Sequence, residues 1–274
     1  MPAYCPFSID PLSNPIGALI RGLDLTETVN SDALLDIRSA WSRYLVLVFE
    51  GQELTPAQQL NFARQLGRVI QYPMVQGLPD YPEIVPVVKL PHETRNFGGV
   101  WHSDTTYLPN PPSATLLLAR ELPPSGGDTQ FANMYLAYDA LSDQTKQVVN
   151  ELTVIQSSAK PRVAKGRSEK VQIGAHAGDI ELTAEHPVVR VHPVTGKRAL
   201  YVNPAHSVRF KTMTSVESEP LLSLLFQHQI NPEFTGSYRW QQGAMVLWDN
   251  RCVQHYPLND YHGYKRVMHR ITIA

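Results

Sequence analysis

Short apolar runs separated by turn residues dominate the chain from about residue 84 onward. They read IVPVVKL, SATLLLA, ELTVIQ, PVVRVHP, ALYVN, AMVLWDN and RVMHRITIA, with proline, glycine or polar residues between most of them. Many short strands with turns between them are typical of a sandwich or jelly roll rather than a parallel α/β sheet. Two earlier runs, Gly17 to Leu23 and Leu45 to Phe49, also predict strands, and the second is apolar throughout, as in a strand buried on both faces.

Four segments carry helical signals, either apolar periodicity or capping residues. The predicted helices cover residues 31–44, 56–66, 134–152 and 216–230. Thr55 and Pro56 supply an N-cap and a first-turn proline for the second helix, which Gly67 can end. Thr214 and Glu217 form a capping box before the fourth helix. The predicted fold class is therefore β-rich α+β with a few flanking helices.

The composition is that of a globular protein. The chain has 274 residues, 43% of them hydrophobic and 18% charged, which excludes wholesale disorder. Its formal net charge of −1 argues against non-specific nucleic-acid binding. No apolar run is long enough for a membrane span and the N-terminus lacks the features of a signal peptide. We therefore expect a cytoplasmic protein with neither nucleic-acid nor membrane partners, and the two cysteines, Cys5 and Cys252, do not suggest a disulfide framework.

The clearest local chemistry is the segment Trp101-His102-Ser103-Asp104. On an extended strand, residues i and i+2 point to one side, so His102 and Asp104 can bind the same ion, although H-x-D alone is a weak signal. A further histidine, His255, follows in WDNRCVQH near the C-terminus. Two imidazoles and one carboxylate occupy one face of an octahedral ion, as in non-haem Fe(II) oxygenases. Three positions then stay open, enough for a bidentate 2-oxo acid and dioxygen.

The sequence resembles the taurine dioxygenase / 2,4-dichlorophenoxyacetate dioxygenase family of Fe(II)- and 2-oxoglutarate-dependent oxygenases. The matching motifs are WHSD, PPSGGDTQFANMYLAYDAL, LYVN and WDNRCVQH, and the likeness extends from GALIRGLDL to the final HRITI. It implies a single domain over residues 1–274 with a double-stranded β-helix (jelly roll) and flanking helices. It also implies Fe(II), 2-oxoglutarate and O2 as reactants at the site and a homo-oligomer, either a dimer or a tetramer.

The resemblance also implies the roles of individual residues. His102, Asp104 and His255 would ligate the iron. Arg266, eleven residues after His255 (266 − 255), would pair with the distal carboxylate of 2-oxoglutarate, assisted by Thr129. The alternatives are a plain β-turn for the GGDT segment and a surface ion pair for Arg266, for which Asp260 is one candidate partner.

Substrate binding is expected around a second arginine. Arg270 follows Arg266 by four residues, so on a strand both point to one face about 13 Å apart. The family places an arginine here for the sulfonate or carboxylate of the prime substrate; the alternative is a structural ion pair. Trp248 is expected to line the site near the iron, and Trp240 to serve core packing alone.

The sequence departs from members that oxidise taurine. Those members have a histidine where this chain has Tyr72, and an Asn and an Asp before the WH motif, where this chain has Phe97-Gly98-Gly99-Val100. A pocket without acceptors for an amine disfavours an aminosulfonate, because its ammonium would lose water without gaining partners. Tyr72 and Phe97 therefore suit an anion with an uncharged remainder: a sulfonate, a sulfate ester or an aryloxyalkanoate.

The expected reaction is hydroxylation, with C–S or C–O cleavage where the new hydroxyl lies on a carbon that bears the heteroatom. A same-fold halogenase is disfavoured by Asp104, because halogenases need a small residue at that position. A non-catalytic metal-binding or sensing jelly roll is the alternative from another class. The basic stretch of residues 157–179 is interpreted either as a mobile lid that attracts an anionic substrate or as a solvated loop.

Overall fold

A computed structural model describes residues 7–12, 15–72, 75–160 and 181–274. The helices are α1 (Ser31–Tyr44), α2 (Pro56–Leu66), α3 (Met134–Asp139), α4 (Asp143–Asn150) and α5 (Ser215–His228), with one 3-10 helix at Pro232–Phe234. The strands are β1 (Ser8–Pro11), β2 (Ala18–Arg21), β3 (Val46–Phe49), β4 (Val69–Ile70), β5 (Ile84–Lys89), β6 (Ala114–Glu121), β7 (Thr129–Asn133), β8 (Thr153–Ser157), β9 (Thr183–Pro187), β10 (Val189–Val191), β11 (Arg198–Leu200), β12 (Ser207–Phe210), β13 (Thr235–Tyr238), β14 (Met245–Asp249), β15 (Val253–Pro257) and β16 (Arg266–Ile273). The stretch predicted as a lid covers residues 157–179. Its residues 161–179 lie outside the described residues.

Half of the sixteen described strands belong to one large mixed sheet. Its order is β1-β2-β3-β14-β6-β16-β4, with β5 paired to β16. β2 and β3 pair in parallel, whereas β14, β6, β16 and β5 pair antiparallel. Three smaller sheets have the orders β13-β7-β15, β12-β8-β9 and β10-β11. The prediction of a β-rich fold with few helices is confirmed.

The two faces of the large sheet pack into two different cores because successive side chains of a strand alternate in direction. Leu47 and Phe49 of β3 pack into a core with residues of α1 and α2. Val46 and Val48 face the opposite core, which includes residues of β7, β15 and α5. All four residues of β3 are buried, which confirms the prediction of a strand covered on both faces. Trp248 of β14 belongs to the second core, so the candidate chemistry lies on this side of the sheet.

The capping residues start the helices where the sequence predicts. Thr55 and Gln58 form a capping box at α2, and Thr214 and Glu217 form the predicted one at α5. Gly67 caps α2 with its N–H bound to the Ala63 carbonyl, in an extended rather than a left-handed conformation. Among the described residues, no helix combines the length and the apolar character needed to cross a membrane.

The third predicted helix, residues 134–152, is wrong as one element and is instead the pair α3 and α4. The break has a local cause at Ser142. Its side chain accepts a hydrogen bond from the backbone N–H of Thr145, which starts a new helix at Asp143. Apolar periodicity continues across the break and therefore does not reveal it.

Candidate active site

His102, Asp104 and His255 meet in one buried cluster, with potential ligand atoms all within 4.8 Å of one another. A pair of backbone hydrogen bonds brings the two histidines together. The N–H of His102 donates to the carbonyl of His255 at 3.1 Å, and the N–H of His255 donates back at 2.8 Å. His102 and Asp104 are close as well, with Nε2 of His102 3.6 Å from Oδ1 of Asp104. The segment that carries the H-x-D motif is thus hydrogen-bonded to β15, which carries the distal histidine.

His102 is oriented by its surroundings. Its Nδ1 lies 2.6 Å from the carbonyl oxygen of Val100, which makes Nδ1 the protonated nitrogen and leaves the Nε2 lone pair facing Asp104. Burial lowers the pKa of His102, and burial together with the neighbouring His102 lowers the pKa of His255 further. Both imidazoles are therefore neutral at physiological pH, which is the form that binds a metal.

Asp104 is 3% exposed and its two oxygens have different neighbours. Oδ2 accepts a hydrogen bond from the hydroxyl of Thr115 at 2.6 Å. Oδ1 lies 3.1 Å from Nη2 of Arg270, as an ion pair rather than an aligned hydrogen bond. Burial raises the pKa of the Asp104 carboxyl, but Arg270 and the two histidines outweigh that effect and hold the pKa well below its ordinary value. The site therefore presents one carboxylate and two neutral imidazoles, the donor set of a non-haem iron centre.

A buried polar network fixes the chain just after Asp104. Thr106 donates its hydroxyl proton to Oε1 of Gln156 at 2.5 Å, and Nδ2 of Asn203 donates to that same Oε1 at 3.1 Å. Thr105, between Asp104 and this network, has a φ of 46°, a left-handed conformation that is uncommon for a β-branched residue. The network therefore holds the backbone next to the carboxylate in a conformation that it would otherwise avoid.

Arg266 and Thr129 line the same cavity as the His102, Asp104 and His255 cluster. Arg266 is 5% exposed, and its Nε and Nη2 are buried without a hydrogen-bond partner among the described residues. Burial lowers its pKa, although Tyr261 opposes the effect. The alternative of a surface pair with Asp260 is not what the structure shows, because Asp260 instead accepts a hydrogen bond from the Gly127 N–H at 2.7 Å. Asp128 attracts Arg266 electrostatically, but no described carboxylate forms an ion pair with it, and a buried guanidinium is costly unless an anion binds it.

Trp240 does more than pack in the core, contrary to the expectation from sequence. Its Nε1–H donates to the Thr129 hydroxyl oxygen at 2.9 Å, and its ring centroid lies 5.6 Å from Cζ of Arg266. The indole occupies a lone pair of Thr129, so the hydroxyl proton can point elsewhere. Trp240 thus contacts both residues predicted to bind the co-substrate.

Arg270 lies between the cluster and an aromatic side chain. Cζ of Arg270 sits 4.4 Å from the centroid of the Tyr72 ring, and Tyr72 itself is 9% exposed. Tyr72 is not among the described residues that line the cavity, so it reaches the site through Arg270. Trp248 does line the cavity and packs its ring 4.6 Å from that of His255.

One cavity connects these groups, with about 460 Å³ of space that includes its opening to solvent. Its lining comprises Val87, Phe97, Gly98, His102, Asp104, Leu117, Thr129, Trp248, His255, Pro257, Arg266 and Arg270. Eight of the nine predicted site residues belong to this lining, and Tyr72 is the exception.

A second cluster with metal-binding residue types is His192, Asp249 and Cys252. Its polar atoms already have partners. Nε2 of His192 lies 3.0 Å from Oδ2 of Asp249, and Arg251 binds the same carboxylate through Nε at 2.8 Å and Nη2 at 2.6 Å. Burial raises the pKa of Cys252, which therefore stays a neutral thiol. This cluster anchors the WDNRC segment rather than binding an ion.

Comparison with known proteins places the chain. Residues 8–272 match the family described as "Taurine catabolism dioxygenase TauD, TfdA family". The chain belongs to this family. Its relatives include an alpha-ketoglutarate-dependent sulfate ester dioxygenase from Pseudomonas putida, 32% identical over 97% of this chain and 89% of the relative. An (S)-phenoxypropionate/alpha-ketoglutarate-dioxygenase from Sphingobium herbicidovorans is 32% identical over 98% of this chain and 95% of the relative.

Solved structures of this TauD/TfdA family agree in fold. A taurine dioxygenase from Burkholderia xenovorans superposes with a TM-score of 0.81 at 34% identity, covering 98% of this chain and 89% of that chain. The structure of AAD-2 in complex with Mn(II) and N-oxalylglycine gives a TM-score of 0.83 at 29% identity, covering 98% of this chain and 96% of that chain. The family predicted from the sequence motifs is therefore confirmed.

Proposed function

We propose that this TauD/TfdA-family protein is an Fe(II)- and 2-oxoglutarate-dependent dioxygenase that hydroxylates a small anionic organic substrate. The observation that carries the proposal is the meeting, in one cavity, of a His–Asp–His cluster with two buried arginines, Arg266 and Arg270. The names of the relatives support a sulfate ester, aryloxyalkanoate or sulfonate as substrate.

The residues present fit the reactants. His102, Asp104 and His255 would hold Fe(II), because two neutral imidazoles and one carboxylate suit this ion and leave coordination positions open. Iron with 2-oxoglutarate and O2 supplies the oxidising power for attack on a C–H bond. The protein's own contributions are to bind the anions, orient them and exclude water.

Arg266 and Thr129 would bind the distal carboxylate of 2-oxoglutarate. The guanidinium offers buried N–H groups, Nε and Nη2, and a planar fork that matches a carboxylate. Because Trp240 donates to the oxygen of Thr129, the hydroxyl of Thr129 keeps its proton to donate to the carboxylate.

Arg270 would bind the anion of the prime substrate, and the apolar walls would hold the remainder. Phe97 and Trp248 line the same cavity as Arg270, which supports their proposed place beside the substrate. Among the described lining residues Asp104 is the only carboxylate, and it already pairs with Arg270 and Thr115, so these residues offer no free carboxylate to an ammonium group. Taurine is therefore disfavoured, and an alkyl sulfate or aryloxyalkanoate is favoured. Where hydroxylation falls on the carbon that bears the oxygen, C–O cleavage follows.

The proposed architecture is a double-stranded β-helix formed by the whole chain as one catalytic domain. It is supported by the way the strands of the large sheet and the β13-β7-β15 sheet contribute to one core and one cavity. Asp104 speaks against a halogenase, and the paired Thr129 and Arg266 speak against a sensor without catalysis. A homo-oligomeric state and a cytoplasmic location stay predictions.

Anaerobic difference spectroscopy with Fe(II) and 2-oxoglutarate tests the proposal. We expect a visible metal-to-ligand charge-transfer band in the wild-type protein and none in His102→Ala, Asp104→Ala or His255→Ala. Succinate release with a panel of alkyl sulfates, sulfonates and aryloxyalkanoates would then identify the substrate class. A wild-type protein that binds Fe(II) and gives no band would contradict the proposed function.

A further inference from the structure

A continuous chain of buried hydrogen bonds leads to the Asp104 carboxylate. Nε1–H of Trp248 donates to Oδ1 of Asn250 at 3.0 Å, and Nδ2–H of Asn250 donates to Oγ1 of Thr115 at 3.0 Å. The Thr115 hydroxyl in turn donates to Oδ2 of Asp104 at 2.6 Å. Thr115 and Asn250 are completely buried, so water does not compete for these bonds. Neither residue lines the cavity among the described residues, so both act from behind the site.

Each bond in this chain has only one possible direction. An indole N–H only donates, so the Asn250 oxygen must face Trp248 and its NH₂ group must face Thr115. The backbone N–H of Asp104 also points to that oxygen, at 3.4 Å. Because Asn250 occupies a lone pair of Thr115, the hydroxyl proton of Thr115 is directed to Asp104. Oδ2 of Asp104 therefore accepts a hydrogen bond from Thr115 of β6, and the direction of this bond is fixed by Asn250, which directly follows β14.

The other oxygen of Asp104 faces the metal ligands. Oδ1 is 3.6 Å from Nε2 of His102 and 3.1 Å from Nη2 of Arg270. A carboxylate can bind a cation through one oxygen or through both. The proposed reaction needs three open positions on the iron, two for 2-oxoglutarate and one for O2. A second Asp104 oxygen on the metal would remove one of them.

We propose that Thr115, oriented by Asn250, is a positioning residue that restricts Asp104 to binding the metal through Oδ1 alone. This inference rests on the proposed function. The inference predicts different effects on metal affinity and on co-substrate affinity. Because losing the Thr115 hydroxyl frees Oδ2 to approach the metal, the protein should keep its metal but bind the bidentate co-substrate poorly. A merely structural role for Thr115 would weaken metal binding and co-substrate binding together, or lower stability alone.

The test compares Thr115→Val with two matched variants. Thr115→Ser keeps the hydroxyl, and Thr272→Val makes the same change at a buried threonine directly opposite Thr115 in β16. Mn(II) affinity is measured by electron paramagnetic resonance without 2-oxoglutarate. Affinity for 2-oxoglutarate is measured by anaerobic titration of the Fe(II) charge-transfer band. For Thr115→Val we expect the 2-oxoglutarate dissociation constant to rise at least about tenfold, the scale of a lost hydrogen bond to a charged group, with a much smaller change for Mn(II).

Thr115→Ser and Thr272→Val should both resemble the wild type. Unchanged 2-oxoglutarate affinity in Thr115→Val, or a proportional loss of Mn(II) affinity, would overturn the inference while leaving the proposed function standing. A wild-type protein without the charge-transfer band would instead remove the proposed function. If thermal unfolding shows that Thr115→Val does not fold, Asn250→Ala replaces it as the test variant, because it removes the hydrogen bond that orients the Thr115 hydroxyl. An Asn250→Ala protein with wild-type 2-oxoglutarate affinity would then overturn the inference.

Discussion

Arg270 places Nη2 3.1 Å from Oδ1 of Asp104, so one guanidinium borders both a candidate metal ligand and the substrate cavity. The guanidinium also packs against an aromatic ring, because Cζ of Arg270 lies 4.4 Å from the centroid of Tyr72. A cation placed in this way can bind an anionic substrate only at a fixed position relative to the metal. Under the proposed function, this one side chain would set both the affinity for the substrate and the carbon that is attacked.

The first prediction concerns Arg270→Ala. We expect KM for the anionic substrate to rise roughly 10- to 150-fold, since a charge-assisted contact contributes about 1.5–3 kcal/mol. The anaerobic charge-transfer band should change little, and 2-oxoglutarate consumption without product should become more prominent. Steady-state kinetics measure the substrate KM and the uncoupled 2-oxoglutarate consumption, and anaerobic titration measures the charge-transfer band. Weaker 2-oxoglutarate binding with unchanged substrate KM would contradict the assignment.

The second prediction concerns Arg266→Ala, which serves as the reciprocal variant on the same strand. We expect the dissociation constant for 2-oxoglutarate to rise by a similar factor, roughly 10- to 150-fold, because the buried guanidinium offers Nε and Nη2 to the carboxylate. Isothermal titration of the Mn(II)-loaded protein with 2-oxoglutarate measures this without turnover. Substrate KM at saturating 2-oxoglutarate should stay close to wild type, and a large change there would argue against separate roles.

The third prediction concerns Gly98, which packs against the imidazole of His102. A Cβ at this position would lie 2.9 Å from Cε1 of His102, and the φ of +70° disfavours any side chain. Gly98→Ala should therefore shift His102 and weaken Mn(II) binding about tenfold or more. The control is Gly99→Ala, whose Cβ would meet nothing nearer than 3.6 Å and has no such conformational demand. Equal metal affinities for the two variants would show that Gly98 does not position the ligand.

The fourth prediction concerns acid stability and His269. Burial, with a smaller effect of Arg120, lowers the pKa of His269 from 6.5 to about 4. Between these values the unfolded chain binds more protons than the folded one, so this contribution to stability is complete above about pH 6.5 and is lost as the pH falls towards 4. His269→Gln should flatten the pH dependence of the free energy of unfolding in that window, as measured by urea denaturation. The same change at the exposed His262 should leave it unaltered.

The local part of the metal site could be predicted from sequence because it depends on backbone geometry alone. The spacing of His102 and Asp104 puts both on one side of an extended segment, and the structure brings them within ligand distance. His255 is different, because no spacing connects it to them. Its place depends on strand pairing across the whole chain, and only the resemblance of the WDNRCVQH motif to the family pointed to it.

The supporting residues could not be predicted, because their hydrogen bonds join distant parts of the chain. Thr115 and Asn250 are 135 residues apart, and Trp240 and Thr129 are 111 residues apart. In the run SATLLLA a threonine is an ordinary strand former, and a tryptophan after a strand is an ordinary core residue. Their polar atoms meet only when β14 pairs with β6 in the large sheet and when β13 pairs with β7 in the smaller one.

Strand β16 carries Arg266 and Arg270 four residues apart, and it is hydrogen-bonded on one side to β5 and on the other to β6. Such a strand cannot stretch, so the backbone positions of the two arginines stay about 13 Å apart along the strand. Under the proposed function, β16 would set the distance between the arginine that binds the co-substrate and the arginine that binds the substrate. Within a homologous series of substrates, each added methylene then moves a different carbon to the oxidised position. Under the proposed roles of the two arginines, the distance of a carbon from the substrate's anion would decide whether that carbon is oxidised.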